Sequence, residues 1–169
     1  MAVLFLLVPD GFRDEEYSVP KKILEDAGLA VVTASTVGGS LRGKKGLTTA
    51  SVDITLDKIN SADYQGLVII GGQATYWYDA VVLRLVREFN AAGRLVAAIC
   101  ISGVIPAQAG IMRGKEYTVF PAPDALADTR QHEGRYVDKP VVVSGNVLTA
   151  RDYAAAADFG RAIVGFLRR

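Results

Sequence analysis

The sequence contains one cysteine and one histidine among its 169 residues. A single cysteine cannot form an intramolecular disulfide or a cysteine-rich zinc site, and a single histidine excludes a multi-histidine metal cluster. No glycine-rich loop opens a helix in the manner of a phosphate-binding loop, because the paired glycines near residue 38 lie in a hairpin-like stretch. We therefore expect neither a metal nor a cofactor, and we expect Cys100 to act as a thiol.

Long apolar runs and excess charge are also missing. The longest apolar runs, residues 2–8 and 95–101, fall far short of the roughly 20 residues that span a bilayer. The first residues lack the basic start and small-residue cleavage site of a signal peptide. A formal net charge of +1 provides no basic field for nucleic acid or an acidic membrane. These features predict a soluble cytoplasmic protein that binds neither nucleic acid nor membranes.

Half of the residues are hydrophobic, and strand-like and helix-like segments alternate along what we expect to be one domain, residues 1–169. The patterns predict strands at 2–8, 29–35, 50–54, 67–70, 95–99, 137–143 and 147–150, and helices at 15–27, 79–92, a short stretch before 109, and 153–167. Residues 38–46 are predicted as a turn or small hairpin, with Lys44 and Lys45 at a solvated tip rather than at an anion site. No helix or strand is predicted in the segment that leads to His132. This order is typical of an α/β three-layer sandwich with a mostly parallel sheet between helices.

Cys100 ends a predicted buried strand and begins a helix. Ligands of such sheets bind at the carboxyl ends of the strands. The small residues Ala98, Ser102 and Gly103 flank the cysteine, as a sharp strand-to-helix turn carrying a nucleophile requires. A helix N-terminus would favour the thiolate and could stabilise an oxyanion, whereas the alternative is that Cys100 is a small buried core residue.

Two further signals stand at strand ends. Gly71 and Gly72 follow a strand, where missing side chains allow a backbone N–H to approach a ligand, although a plain tight turn is the alternative. Glu16 belongs to an acidic run after the first strand, and the alternative there is a charge cluster stabilised by the helix dipole. These three signals, each at the end of a strand, together predict a ligand-binding or catalytic site.

These residues resemble the superfamily of the PfpI intracellular protease and the parkinsonism-associated deglycase, which has a class I glutamine amidotransferase-like, flavodoxin-like fold. The similarity rests on Glu-Tyr-Ser-Val-Pro at 16–20, the double glycine at 71–72 and Ala-Ile-Cys-Ile-Ser-Gly at 98–103, and it extends over nearly the whole chain. The resemblance implies that Cys100 is the reactive residue in a nucleophile elbow and that Glu16 lies beside it. It also implies that the backbone N–H groups of Gly72 and Ile101 form the oxyanion site.

Both histidines that the resemblance leads one to expect are replaced. Ile101 stands where the protease-like branch has a histidine, and Phe120 stands where the deglycase branch has one before a proline. Ser102 replaces a glycine, while Arg151 keeps the arginine after the late hairpin. His132, the only imidazole, is either an accessory base or a solvated loop residue. Alternatively, a buried Glu16 with a raised pKa could move protons alone.

Two classes of function follow from the resemblance. The first is an enzyme in which Cys100 attacks a small reactive carbonyl, as a glyoxalase or deglycase does, with amide hydrolysis ranked lower. The second is a non-enzymatic redox sensor or chaperone-like stress protein that uses oxidation of Cys100. The resemblance also predicts a homo-oligomer. A third alternative is a small-molecule binding protein in which the aromatic residues Tyr76, Trp77 and Tyr78 line the mouth of the pocket, although packing against another subunit is the preferred interpretation of these residues.

Overall fold

The protein is built around a seven-stranded sheet. A computed structural model describes the whole chain, residues 1–169. Its elements, in chain order, are β1 Ala2–Leu6, α1 Asp14–Asp26, β2 Val31–Ser35, β3 Gly39–Arg42, β4 Thr49–Val52, β5 Ile54–Thr55, β6 Tyr64–Ile69, α2 Ala80–Ala91, β7 Leu95–Ile99, α3 Val104–Gln108, β8 Glu116–Tyr117, α4 Pro123–Gln131, β9 Arg135–Tyr136, β10 Val141–Ser144, β11 Val147–Ala150 and α5 Ala156–Leu167.

The strand order in the main sheet is β10-β11-β7-β6-β1-β2-β5, and every neighbouring pair is parallel except β10 with β11. Every residue of β7 is fully buried, as are Val3, Leu4, Phe5 and Leu6 of β1. Strands that are apolar on both faces must be covered on both faces, which explains the continuous apolar runs of the sequence. The predicted α/β fold, flavodoxin-like with a mostly parallel sheet between helical layers, is therefore confirmed.

The helices form two groups. Helix α1 packs against α5, and the contact is close enough that a Cβ added at Gly160 would lie 3.0 Å from the Cα of Pro20. Helix α2 contacts β6 and β7 and packs against α3, which contacts α4. The loops that follow the carboxyl ends of β1, β6, β7 and β11 meet at one edge of the sheet. No helix is long and apolar enough to cross a membrane.

The structure differs from the sequence prediction in several boundaries. The strand predicted at 50–54 is split at Asp53 into β4 of a hairpin and β5 of the main sheet. The split occurs because the Asp53 carboxylate accepts the Thr33 N–H at 2.8 Å while the Asp53 N–H donates to the Thr33 carbonyl. The strand predicted at 137–143 begins only at Val141, after Pro140. The N–H of Val137 donates instead to the carbonyl of Tyr117, just past the two-residue pairing of β8 with β9.

Candidate active site

Cys100 lies at the turn from β7 into a short helical segment. Its backbone has φ 63°, a left-handed conformation that a residue with a side chain rarely adopts. Its carbonyl accepts a 3.2 Å hydrogen bond from the N–H of Phe120, and two residues later the Ser102 hydroxyl donates to the Ile70 carbonyl at 2.8 Å. Strained backbone of this kind persists only where surrounding contacts hold it, and it is concentrated at functional sites.

Gly71 packs against both predicted site residues. A Cβ added there would lie 2.2 Å from Oε2 of Glu16 and 2.8 Å from Cβ of Cys100. Only glycine therefore fits between the strand end and the two side chains. The next residue, Gly72, is equally restricted, because a Cβ there would lie 2.8 Å from Cγ2 of Val8. The double glycine is what allows the ends of β1, β6 and β7 to converge.

The carboxyl group of Glu16 is fully buried. Burial raises its pKa from 4.5 to about 7, against the opposing effects of the Cys100 thiol, the nearby Arg13 and the Gly71 N–H. Neither of its oxygens has a fully formed hydrogen bond, and the Cys100 thiol and the Gly71 N–H are the groups placed to supply one. A carboxyl group with this pKa is present in both protonation states at neutral pH.

The thiol of Cys100 is half-buried and its pKa lies above the ordinary value. Burial is the main cause, and the charge of Glu16, the contact of its carboxyl with the thiol and the charge of Asp152 add to it, while the Ile101 N–H acts in the opposite direction. The Ile101 N–H thus favours the thiolate, as the sequence predicts for a helix start, but burial and the charge of Glu16 outweigh it.

A cavity of about 430 Å³ opens onto the thiol. It is lined by Gly11, Arg13, Glu16, Lys44, Gly72, Cys100, Ile101, Phe120, Ala122, Asp124, Asp152 and Tyr153. The predicted residues Cys100, Glu16, Gly72 and Ile101 thus meet in one cavity, and Gly71 lies directly behind Glu16. The cavity is of a size suited to a small-molecule ligand.

Several lining residues were not singled out from the sequence. The guanidinium of Arg13 stacks over the ring of Tyr153, with Cζ 4.1 Å from the ring centroid. Both residues follow strands, β1 and β11, so the rule that sites form at strand ends could have found them. Lys44, which the sequence analysis places at a solvated hairpin tip, instead lines the cavity, and no local feature of the sequence indicates that the β3–β4 hairpin reaches it.

Other predicted residues lie elsewhere. Arg151 does not line the cavity but pairs with Asp152, which does, at 3.2 Å, and with Asp138 at 2.7 Å. His132 is at the end of α4, where its Nδ1 lies 2.8 Å from the carbonyl of Asp128 and its ring faces Tyr78. It does not line the Cys100 cavity, so the suggestion that it serves there as an accessory base is not supported by its position.

The aromatic triplet is divided between core and surface, and none of the three residues lines the Cys100 cavity. Tyr76 is buried, and its hydroxyl donates to the Leu7 carbonyl at 2.6 Å, which contradicts a place at the pocket mouth. Trp77 is partly buried, and Tyr78 is exposed with its hydroxyl bonded to Asp128. No group of three or more His, Cys, Asp and Glu side chains is arranged to hold a metal ion.

Comparison with known proteins gives a consistent result. The sequence model of the DJ-1/PfpI family matches residues 1–165. An uncharacterised protein of Methanocaldococcus jannaschii is 40% identical over 157 residues, covering 90% of this chain and 76% of that protein. A deglycase of Pyrococcus horikoshii is 34% identical, covering 89% of this chain and 90% of that protein.

Solved structures agree with the sequence relatives. A ThiJ/PfpI domain protein from Brachyspira murdochii superposes with a TM-score of 0.93 at 31% identity, covering 99% of this chain and 96% of that one. DJ-1beta of Drosophila melanogaster superposes with a TM-score of 0.85 at 27% identity, covering 99% of this chain and 91% of the other.

Proposed function

Because the chain belongs to the DJ-1/PfpI family, we propose that it is a cysteine-dependent enzyme that acts on small reactive carbonyl compounds such as 2-oxoaldehydes or their adducts. Cys100 is the nucleophile and Glu16 handles the proton. The observation that carries the proposal is the contact of both side chains with Gly71 at one cavity. The deglycase names of relatives such as the Pyrococcus horikoshii protein support the substrate class.

The first step needs no histidine. The Glu16 carboxylate takes the proton of the Cys100 thiol as the Sγ–C bond forms, and the π electrons of the carbonyl move to its oxygen. The backbone N–H groups of Ile101 and Gly72 donate to this oxyanion, and the proton passes from Glu16 to the oxygen to give a neutral hemithioacetal. A base with a pKa of about 7 suits this task at neutral pH.

The raised pKa of the thiol fits the same scheme. A thiol that stays protonated at rest becomes nucleophilic only when Glu16 accepts its proton, and the protonated Glu16 no longer opposes a negative charge on sulfur. The proton is thus shared between two groups rather than lost to solvent. We place this chemistry in the cytoplasm, where thiols are kept reduced.

The test is consumption of methylglyoxal by the wild type and by Cys100→Ser and Glu16→Gln. Loss of a positioned acid or base typically costs about 10²- to 10⁴-fold in rate, so we expect both variants to lose at least about 10²-fold in kcat/KM. Glu88→Gln, an exposed change on α2, is the matched control and keeps wild-type activity. Turnover in Cys100→Ser equal to that of the wild type would refute the proposal.

A redox sensor remains the second candidate, and the burial of a protonatable carboxyl against the only thiol favours it, because Glu16 could donate a hydrogen bond to a sulfinate on Cys100. Mild peroxide then adds the mass of two oxygen atoms to the wild type and none to Cys100→Ser. An unchanged wild-type mass eliminates this candidate.

A further inference from the structure

A second cavity, here called the basic groove, adjoins the Cys100 cavity. It measures about 410 Å³ and none of its lining residues is hydrophobic. The lining consists of Asp10, Gly11, Arg42, Gly43, Lys44, Lys45, Gly46 and Gln73. Gly11 and Lys44 line both cavities, so the groove lies directly beside the thiol cavity.

The groove has more positive than negative charge. Arg42, Lys44 and Lys45 line it with one acid, Asp10. Lys45 pairs with Glu15 at 2.5 Å, whereas neither Arg42 nor Lys44 has a carboxylate within salt-bridge distance. Two exposed cations without a carboxylate partner therefore line the groove.

The loop that bears these cations is held in place by a buried carboxylate. Asp14 accepts backbone N–H bonds from Lys45 at 2.8 Å, Leu47 at 3.0 Å and Thr48 at 2.7 Å. A Cβ at Gly43 would lie 2.3 Å from Oδ1 of Asp14, so this approach requires glycine. Charged hydrogen bonds to a buried carboxylate fix the loop before any ligand arrives.

Two more contacts place the individual cations. The N–H of Lys44 donates to the Phe12 carbonyl at 2.8 Å, directly before Arg13 of the thiol cavity. The Arg42 guanidinium lies over Gly46, where a Cβ would come within 2.9 Å of its Nε. The backbone of Lys44 and the guanidinium of Arg42 are thus each held by a specific contact, which a freely solvated hairpin tip would not need.

We propose that the basic groove binds an anionic group, carboxylate or phosphate, of the same substrate whose carbonyl lies at Cys100. Three acids and two cations line the thiol cavity, whereas three cations and one acid line the groove, so the groove is the more favourable place for an anion. The inference rests on the proposed function: substrates are anionic carbonyl compounds, larger than methylglyoxal, that occupy both cavities.

The experiment compares two aromatic disulfides that react with Cys100, the dianionic dithiobis(nitrobenzoate) and the neutral dithiodipyridine. Their rate ratio cancels the intrinsic reactivity of the thiol and needs no turnover, so it is informative even when the proposed enzyme activity fails. Removing one positive charge that lies about 4 Å from a negative charge of the reagent in water changes the reaction rate roughly fivefold. We expect the ratio of anionic to neutral rates to fall about fivefold in Lys44→Gln and in Arg42→Gln.

Lys22→Gln is the matched control. Lys22 is exposed on α1 and pairs with Asp26, so this variant keeps the wild-type ratio. Inorganic phosphate and acetate are then added as competitors of the anionic reagent, against chloride at equal ionic strength, and the stronger competitor identifies the anion. The proposal is overturned when the ratio is unchanged in both groove variants, when it falls equally in Lys22→Gln, or when neither competitor exceeds chloride.

Discussion

The hydroxyl of Ser102 donates a hydrogen bond of 2.8 Å to the carbonyl of Ile70. This bond joins the segment after the nucleophile to the residue before the double glycine. It links the ends of β7 and β6 through a side chain at a position where the family resemblance leads one to expect glycine. The geometry of the strand-to-helix turn thus depends on the hydrogen bond from Ser102 as well as on the small size of the flanking residues.

Ser102→Ala should lower the free energy of unfolding by about 1–2 kcal/mol, because the buried Ile70 carbonyl loses its donor. Urea unfolding at neutral pH measures the difference. Ser18→Ala, which removes a hydroxyl from a partly exposed carbonyl contact on α1, is the control and costs less. Equal losses of unfolding free energy in the two variants would show that the Ser102 bond stabilises the fold no more than the Ser18 bond does.

Gly71→Ala should destabilise the fold by about 1–3 kcal/mol and abolish thiol chemistry, because the new methyl group must displace Glu16 and Cys100. Gly165→Ala provides the control, since nothing lies within 4 Å of its added Cβ and alanine favours the helix by up to about 1 kcal/mol. Thermal unfolding of both proteins is the measurement. A Gly71→Ala protein with wild-type stability and reactivity contradicts the packing described for this site.

Glu16→Gln should stabilise the protein at alkaline pH but not at acidic pH. The folded protein binds the proton of Glu16 with a pKa of about 7, against 4.5 ordinarily. Below 4.5 the carboxyl is neutral in both states, whereas from 4.5 to 7 the unfolded chain ionises first and stability is lost. The full cost above pH 7 is about 3 kcal/mol. Urea midpoints at pH 4 and pH 8 test this, and an equal difference at both would contradict it.

The same substitution should make Cys100 easier to alkylate while it abolishes turnover. The charge of Glu16 and the contact of its carboxyl with the thiol both raise the pKa of Cys100, so the loss of the charge lowers that pKa. At a pH below the pKa of Cys100, each unit by which that pKa falls gives roughly tenfold more thiolate. Rates with iodoacetamide from pH 7 to 10 measure the change. A Glu16→Gln protein that reacts more slowly than the wild type would show that Glu16 favours the thiolate.

Most of the fold could be predicted because its strands are continuous apolar runs. Helix α4 could not, because it buries only Ala125 and Thr129 and presents little periodicity. The Thr129 hydroxyl donates back to the Ala125 carbonyl, a contact that sequence spacing does not reveal. Short pairings such as β8 with β9 depend on distant partners, so no local pattern indicates them.

The candidate site likewise has a part that the sequence predicts and a part that it does not. Cys100, Glu16 and Gly72 follow strands, and the rule for parallel sheets places them together. Lys44 reaches the cavity only because Asp14, thirty positions earlier, holds its loop, and the direction of the Cys100 pKa depends on burial that composition cannot supply. Long-range contacts and desolvation are the two quantities that reasoning from the sequence lacked.

The stack of Arg13 on Tyr153 connects the first and last of the four strands whose ends build the cavity. A contact of this kind at a partly exposed position is worth about 1 kcal/mol, so thermal motion breaks it often. Arg13 and Tyr153 both line the cavity, so its shape at this point depends on a weak contact, whereas the left-handed backbone turn fixes the position of the thiol.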